Sequence, residues 1–409
     1  MTANELVPHL FRTEFSKICA VLSKYFGIGR IQAAEDIASE TFLSALETWT
    51  YKGIPENPTA WLYTVAKNKA GNYVKRSQIF TDKVTPAVKG AFTAGEFPEV
   101  DLSETNISDS RLQMLFTICH PSIPVEAQVG LALRILCGFG IDEIASAFLT
   151  SKDTVNKRLF RAKEKLRAER VNIEFPPREL LGERIGAVLS TLYLLFSEGY
   201  YSESHDSVLR EDLCFEAMRL TCLLAENKNT NQPAVNALLS LMCFHASRFP
   251  ARKDDNGEIV LYQDQDESLW DERMIAEGAY YLHRASVGTS LSKYHLEAAI
   301  AWWHTHKADT SGKWENILHL YNQLLVMEYS PIAALNRTYA LSKIHGNMRA
   351  IAEAEKLQLT GNHYYFTLLG ELYRNVDDGK SKAHFHTALG LAKTRGDRQS
   401  LMKRLEEID

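Results

Sequence analysis

The chain has 409 residues, 45% of them apolar and 24% charged, and a net charge of -5. That length exceeds one ordinary helical core and predicts two or three domains, while the composition excludes fibrous and low-complexity classes. No run of eighteen apolar residues occurs, and the start, MTANELVPHLFRTEF, lacks the unbroken apolar stretch of a signal peptide, so the expectation is a cytoplasmic protein with no membrane contact.

The six cysteines, Cys19, Cys119, Cys137, Cys214, Cys222 and Cys243, form no C-x-x-C pair. Buried free thiols are expected, with no zinc site, no disulfide framework and no cofactor. Charge is unevenly spread: residues 1–76 carry 9 Lys and Arg against 7 Asp and Glu, 77–110 carry 2 against 6, and 111–171 carry 10 against 6. The remainder, 172–409, carries 25 against 32, so basic charge gathers in the N-terminal half and the tail is acidic.

Apolar residues recur at helical spacing throughout and no segment alternates with period two, which predicts an all-α fold. The first informative segment is AEDIASETFLSALETW at 34–49. Ile37, Ala38, Thr41, Phe42, Ala45 and Trp49 form one apolar face, while Asp36, Glu40 and Glu47 line another side at spacings of four and seven. Such an acidic stripe suits a basic protein partner, and on its own is more often a solvated face.

In NPTAWLYTVAKNKAGNYVKR at 57–76, Asn57 is placed to cap a helix and Pro58 to occupy its first turn. Trp61, Leu62, Val65 and Ala66 are expected inside. Asn68, Asn72 and Arg76 fall on an outward stripe beside Lys69, Tyr73 and Lys75, a mixture of amides, ring and cations suited to nucleic-acid strands. The stretch 77–110, with Pro86, Gly90, Gly95 and Pro98 among acidic residues, reads as a flexible linker.

Residues 126–167 carry the strongest local signal. Gly138 and Gly140 separate an amphipathic helix from a short one, Ile141 to Phe148. The turn Leu149-Thr150-Ser151 then leads into a third helix, with Thr150 as expected N-cap and Asp153 as its capping-box partner. Short helix, tight turn and longer basic helix make a helix-turn-helix. Val155, Leu159, Ala162 and Leu166 should face the core. Lys152, Asn156, Lys157, Arg158 and Arg161 are left for DNA, with Thr154, Asn156 and Lys157 placed for base edges and Arg158 and Arg161 for phosphates.

Pro176 and Pro177 mark a second joint. In the tail, Phe366-x-x-Leu369-Gly370-x-x-Tyr373 followed by Phe385-x-x-Ala388-Leu389 is similar to a tetratricopeptide repeat, with a looser copy at Asn336 to Ala340 and Ala350 to Ala354.

The order of these segments resembles the extracytoplasmic-function (group IV) branch of the sigma-70 family, in the subgroup with a tetratricopeptide-like C-terminal extension. AEDIASETF is similar to the family's polymerase-docking segment, with Ser39 where glutamine is common. The 57–76 segment is similar to the reader of the promoter -10 element and the helix-turn-helix to the reader of the -35 element. ISDSRLQMLFTICHPSIPVEAQ, LLFSEGYY, ALLSLMCFHASRFPAR, DQDESLWD and PIAALNRTYAL extend the likeness into the tail.

The resemblance implies core RNA polymerase and promoter DNA as partners and no catalysis by this chain. It implies docking through Glu35, Asp36, Ser39, Glu40 and Glu47, -10 contacts through Lys52, Asn68, Lys69, Asn72, Lys75 and Arg76, and -35 contacts through Lys152, Thr154, Asn156, Lys157, Arg158 and Arg161. The expected domains are 1–76 and 111–171 for the two promoter readers, 77–110 for the linker and 178–409 for a regulatory extension that touches them. Around Phe196, Glu198, Gly199 and Tyr200 two readings stand: a contact between extension and promoter-reading part, or a helix ending at Gly199 with aromatic packing.

Two other classes remain open on sequence alone. A helix-turn-helix regulator independent of polymerase leaves the acidic stripe and the 57–76 segment unexplained; a repeat-type scaffold predicts protein partners without salt-dependent promoter binding. Walker and H-E-x-x-H patterns are absent. His304-x-His306 beside Trp302-Trp303, with no further ligands, reads as helix surface and core, and Cys119-His120 before Pro121 as a helix end.

Overall fold

The computed structural model describes residues 3–84, 100–148, 150–200, 210–252, 260, 262–392 and 395–408, and among these every regular element is helical. The chain folds as two compact units, Met1–Leu194 and Leu195–Asp409.

In the first unit, helix α1 (Ala3–Phe26) packs against α2 (Ile31–Lys52), α3 (Pro58–Val84) and α4 (Glu104–Ile118). Phe15, Ile18 and Leu22 of α1 are fully enclosed, and the ring of Phe11 meets Phe42 of α2 edge-on at 5.0 Å. Trp49 of α2 meets Trp61 of α3 in the same way at 5.3 Å. Burying such side chains contributes roughly 1.5–3 kcal/mol each, which is the main force holding these helices together.

The expected linker over 77–110 needs correction. The helix α3 runs on to Val84, and Ser103 caps α4, so helices occupy both ends of the expected linker. Residues 85–99, which include its prolines and glycines, lie outside the described residues. Val100 and Leu102 are buried, so the segment entering α4 is packed.

Helix α5 (Val125–Leu131) continues through a π-helical turn at Ala132–Leu136, where Cys137 N donates to Ala132 O at 3.1 Å. The wider turn carries Arg134, a placement typical of inserted π turns at working positions. Helices α6 (Ile141–Ala147), α7 (Lys152–Ala168) and the first part of α8 (Leu181–Tyr200) complete the unit. The two segments expected to read the promoter, 1–76 and 111–171, were expected as separate domains and fall within one compact unit. The stretch around Pro176 and Pro177 is non-helical, as those residues require, but the unit boundary falls later, inside α8. Thr191 Oγ1 donates to Gln128 Oε1 at 2.7 Å, and Arg184 donates to Phe116 O, so this part of α8 is pinned to α4 and α5.

The second unit is a run of helices, most packed on their sequence neighbours, with α12 also packed on α10: α9 (Glu211–Glu226), α10 (Pro233–Ala246), α11 (Glu272–Ala285), α12 (Lys293–Trp303), α13 (Ser311–Met327), α14 (Pro331–His345), α15 (Asn347–Glu355), α16 (His363–Tyr373), α17 (Asp378–Leu391) and α18 (Arg395–Glu406). This is the architecture of stacked helical pairs. Starts are capped by side chains, among them Asp271 to Arg273 N, Asn362 to Tyr364 N and Asp377 to Lys380 N.

The repeat-like motif forms the α16–α17 pair, and its glycine allows the close approach expected of it. A Cβ on Gly370 would stand 2.8 Å from the Phe385 ring, and Ser381 Oγ donates to Gly370 O at 2.7 Å. The same device recurs between α10 and α11, where a Cβ on Gly278 would stand 2.6 Å from the Phe244 ring and Ser240 Oγ donates to Gly278 O at 2.7 Å. The looser copy falls on α14 and α15, which pack on each other.

Gly199 does not end a helix, since α8 continues to Tyr200. Its missing side chain admits the start of α9, where a Cβ would meet Arg210 O at 2.8 Å, and Phe196 and Tyr200 are buried. Five cysteines are buried and Cys222 is half-buried; burial raises the Cys222 thiol to about 11 and the Cys19 thiol to about 12.

Candidate polymerase and promoter interface

On α2 the expected apolar face is buried throughout: Ile37, Ala38, Thr41, Phe42, Ala45 and Trp49 all lie inside. Asp36, Ser39, Glu40 and Glu47 are exposed. Leu43, 55% exposed, sits within that acidic stripe, and the sequence reading had assigned it to neither face. The Ser39 hydroxyl is bound back to Glu35 O at 2.9 Å.

Glu35 departs from the expectation. Its side chain is 1% exposed, and its carboxylate meets Arg134 Nε at 3.2 Å and Lys163 Nζ at 2.5 Å. A carboxylate so enclosed is not presented to a partner in this arrangement. It ties α2 to the π-helical turn and to α7, and Lys163 also reaches Gln32 Oε1 at 3.3 Å. Arg134 is oriented by donating to Phe139 O at 3.1 Å. Two cations on one buried carboxylate satisfy the charge that burial would otherwise penalise.

On α3, Asn57 Oδ1 caps Ala60 N at 3.0 Å and Pro58 opens the helix, as expected. The deeply buried stripe is Leu62, Ala66, Ala70 and Val74, so Trp61 and Val65 flank the core where a central place was expected. Asn68, Asn72, Lys75 and Arg76 are exposed along one side, with Lys52 exposed at the end of α2. Lys69 is half-buried and pairs with Glu40 at 3.2 Å, a link between the acidic stripe and the amide stripe. Tyr51, 89% exposed next to Lys52, is a second residue the sequence reading missed.

The helix-turn-helix is α6 and α7. Gly140 N donates to Glu143 Oε2 at 2.7 Å at the start of α6, and Thr150 N donates to Ala145 O at 3.0 Å in the turn. The cap of α7 is Ser151, which accepts from Thr154 N at 3.1 Å; Thr150 precedes it, one residue from where the cap was expected. Val155, Leu159, Ala162 and Leu166 are buried, as their spacing requires. Lys152, Thr154, Asn156, Lys157 and Arg161 are exposed and Arg158 is half-buried, so all six lie at or near one solvent face. The Thr154 hydroxyl is within 2.9 Å of Ser151 Oγ, and Lys152 pairs with Asp142 at 2.8 Å, which leaves Asn156, Lys157 and Arg161 as the freest groups. Phe160, 66% exposed on this helix, is an apolar ring at the surface that helical spacing alone did not single out.

An acidic, leucine-bearing helix face, an amide and cation stripe and a helix-turn-helix thus lie together on one unit. The Sigma-70 region 2 family model matches residues 10–79, and a family of unknown function (DUF6596) matches residues 184–286. An uncharacterized protein of Rhizobium meliloti (strain 1021) is 32% identical over 392 residues, covering 95% of this chain and 92% of its own length. The ECF RNA polymerase sigma-E factor of Escherichia coli (strain K12) is 26% identical over 152 residues, covering 36% of this chain and 78% of its own length. The ECF RNA polymerase sigma factor BldN of Streptomyces coelicolor is 29% identical over 141 residues, covering 34% of this chain and 51% of its own length. No solved structure gives a significant match. The chain belongs to the sigma-70 family, to its extracytoplasmic-function type, with a large all-helical C-terminal extension. Among the described residues no helix is long and apolar enough to cross a membrane.

Proposed function

We propose that this chain is an RNA polymerase sigma factor that docks on core polymerase through the exposed side of α2 and reads promoter DNA through α3 and α7. The observation that carries this reading is that three chemically distinct side-chain sets lie at the surface of one unit, on helices whose expected core-facing residues are packed inside. Asp36, Ser39, Leu43, Glu40 and Glu47 offer an acidic surface with an apolar centre to a basic partner helix. Lys52, Asn68, Lys69, Asn72, Lys75 and Arg76 take the -10 element, and Lys152, Thr154, Asn156, Lys157, Arg158 and Arg161 the -35 element. The chain itself performs no catalysis in this reading; it positions the polymerase.

The two elements lie about 25 base pairs apart by name, roughly 85 Å of B-form duplex at the usual rise. A compact unit of this length is roughly 40 Å across. One closed unit therefore cannot sit on both elements. In this reading the Glu35 contacts to Lys163 and Arg134 break when the holoenzyme forms, and the two readers separate along the DNA. The extension regulates the promoter-reading part, a role suited to its acidic charge and its stacked helical pairs, which present broad protein-binding surfaces.

Co-purification with core polymerase tests the docking. Charge reversal of Asp36 and Glu40 together, or Leu43→Ser, should weaken it while leaving the helical content unchanged. Undiminished binding in all these variants removes the proposed surface. A chain ending after Tyr200, which keeps α8 whole, should differ from the full chain in polymerase affinity, DNA affinity or transcript yield; identity in all three refutes regulation by the extension.

A further inference from the structure

The second unit holds a buried cationic cluster that promoter recognition does not use. Arg248, 8% exposed, and Lys313, 2% exposed, both lie against the ring of Tyr262, at 5.3 Å and 5.5 Å from its centroid. Arg248 Nη2 donates to Tyr200 Oη at 3.2 Å and stands 3.5 Å from His245 Nδ1. Lys313 Nζ donates to His306 O at 2.6 Å and to Tyr262 Oη at 3.2 Å. Among the described residues neither cation has a carboxylate within ion-pairing distance. Asp309, the acid on the adjoining turn, accepts from Trp314 Nε1 and pairs with Lys343 at 3.2 Å.

Buried cations are ordinarily paired with carboxylates, because hydrogen bonds to neutral groups and ring faces replace only part of the lost hydration. Two further groups at the same ring carry unused polar atoms. His304 stands edge-on to Tyr262 at 5.1 Å, and Trp270 stacks on it at 6.1 Å. His304 Nδ1 and Trp270 Nε1 are buried with no hydrogen-bond partner. Burial, and then the charges of Arg248 and Lys313, hold the His304 imidazole down at about 3, so it is neutral at ordinary pH and adds no third charge.

We propose that Arg248, Lys313, His304 and Trp270 around Tyr262 form a binding site for the phosphate group of a small phosphomonoester. Two cations match the charge of a dianion. Phosphate oxygens, which mainly accept, suit a ring of donors: the guanidinium fork, the ammonium, the Trp270 N–H and the His304 Nδ1–H tautomer.

The test is calorimetry and thermal melting of the full chain with inorganic phosphate, glucose 6-phosphate and AMP, at constant ionic strength, with chloride and acetate as controls. The expected result is saturable binding of at least one phosphate compound, weakened at least tenfold by Lys313→Met and by Arg248→Leu. The Lys313→Met chain should melt no lower than the parent in phosphate-free buffer, because it loses an uncompensated buried charge. Two results would overturn the site: no saturable binding of any of the three probes to the parent chain, or equal binding by every folded variant.

Discussion

Lys163 of α7 and Glu35 of α2, 128 residues apart in the chain, meet at 2.5 Å in the first unit. Arg134 completes the contact from the π-helical turn. One buried carboxylate thus joins the helix expected to read the -35 element to the helix expected to dock on polymerase.

Removing that carboxylate leaves two cations facing a cavity. Glu35→Ala should cost about 3 kcal/mol of first-unit stability, the usual penalty for breaking an enclosed pair. Lys163→Met on that background should recover part of the loss, because it removes one of the stranded charges. Urea unfolding of the single and double variants measures both; additive losses would show that the two side chains are not coupled.

On α7, Asn156→Ala should change base preference at the -35 element with little change in affinity for random DNA. Arg161→Ala should weaken binding about equally across sequences and lower the slope of log K against log salt by about 1. Footprinting and fluorescence anisotropy over a salt series distinguish the two effects. A swap of the two outcomes would mean that Arg161 faces the bases and Asn156 the backbone.

The second unit should lose stability in acid. His304, held at about 3 in the folded chain, returns to its ordinary value of 6.5 on unfolding. Between those values the unfolded state binds more protons, so stability rises with pH across this window and is lost as pH falls below about 6.5. Each such group steepens the dependence by at most about 1.4 kcal/mol per pH unit. His245, lowered by burial and then by Arg248, Arg252 and His304, acts in the same direction. Melting curves at pH 7.5 and 5.5 should show the fall, and His304→Phe should flatten it; a pH-independent melting point would contradict the buried neutral imidazole.

Gly278→Ala and Gly370→Ala should each destabilise the second unit by about 1–3 kcal/mol, since the new methyl group enters the space of the Phe244 or Phe385 ring. Phe385→Leu should partly rescue Gly370→Ala by vacating that space. Unchanged melting of both alanine variants would mean that the helices of each pair can part without loss.

The all-helical fold was legible because apolar residues recur at helical spacing along the whole chain, and Val155, Leu159, Ala162 and Leu166 are buried as that spacing demands. The repeat motif was legible through Gly370 and Phe385, whose contact is local in sequence. Glu35 was misread because it adjoins exposed Asp36 in an acidic stripe, while one residue's rotation turns it toward Lys163 and Arg134, whose positions no local pattern fixes. The boundary inside α8 was illegible for a related reason: the prolines mark where a helix stops, whereas Gln128 and Thr191 decide which unit the next helix joins. The Tyr262 cluster is drawn from separated segments with no shared motif, so only the fold assembles it.

Run-off transcription with reconstituted core polymerase and the full-length chain tests the central claim most directly. The account predicts transcripts from discrete promoters that need both the chain and its exposed α2 acids, and that are lost when Asp36 and Glu40 are reversed in charge. Polymerase that initiates no better with the chain than without it, on a library of promoter-bearing templates, would contradict it.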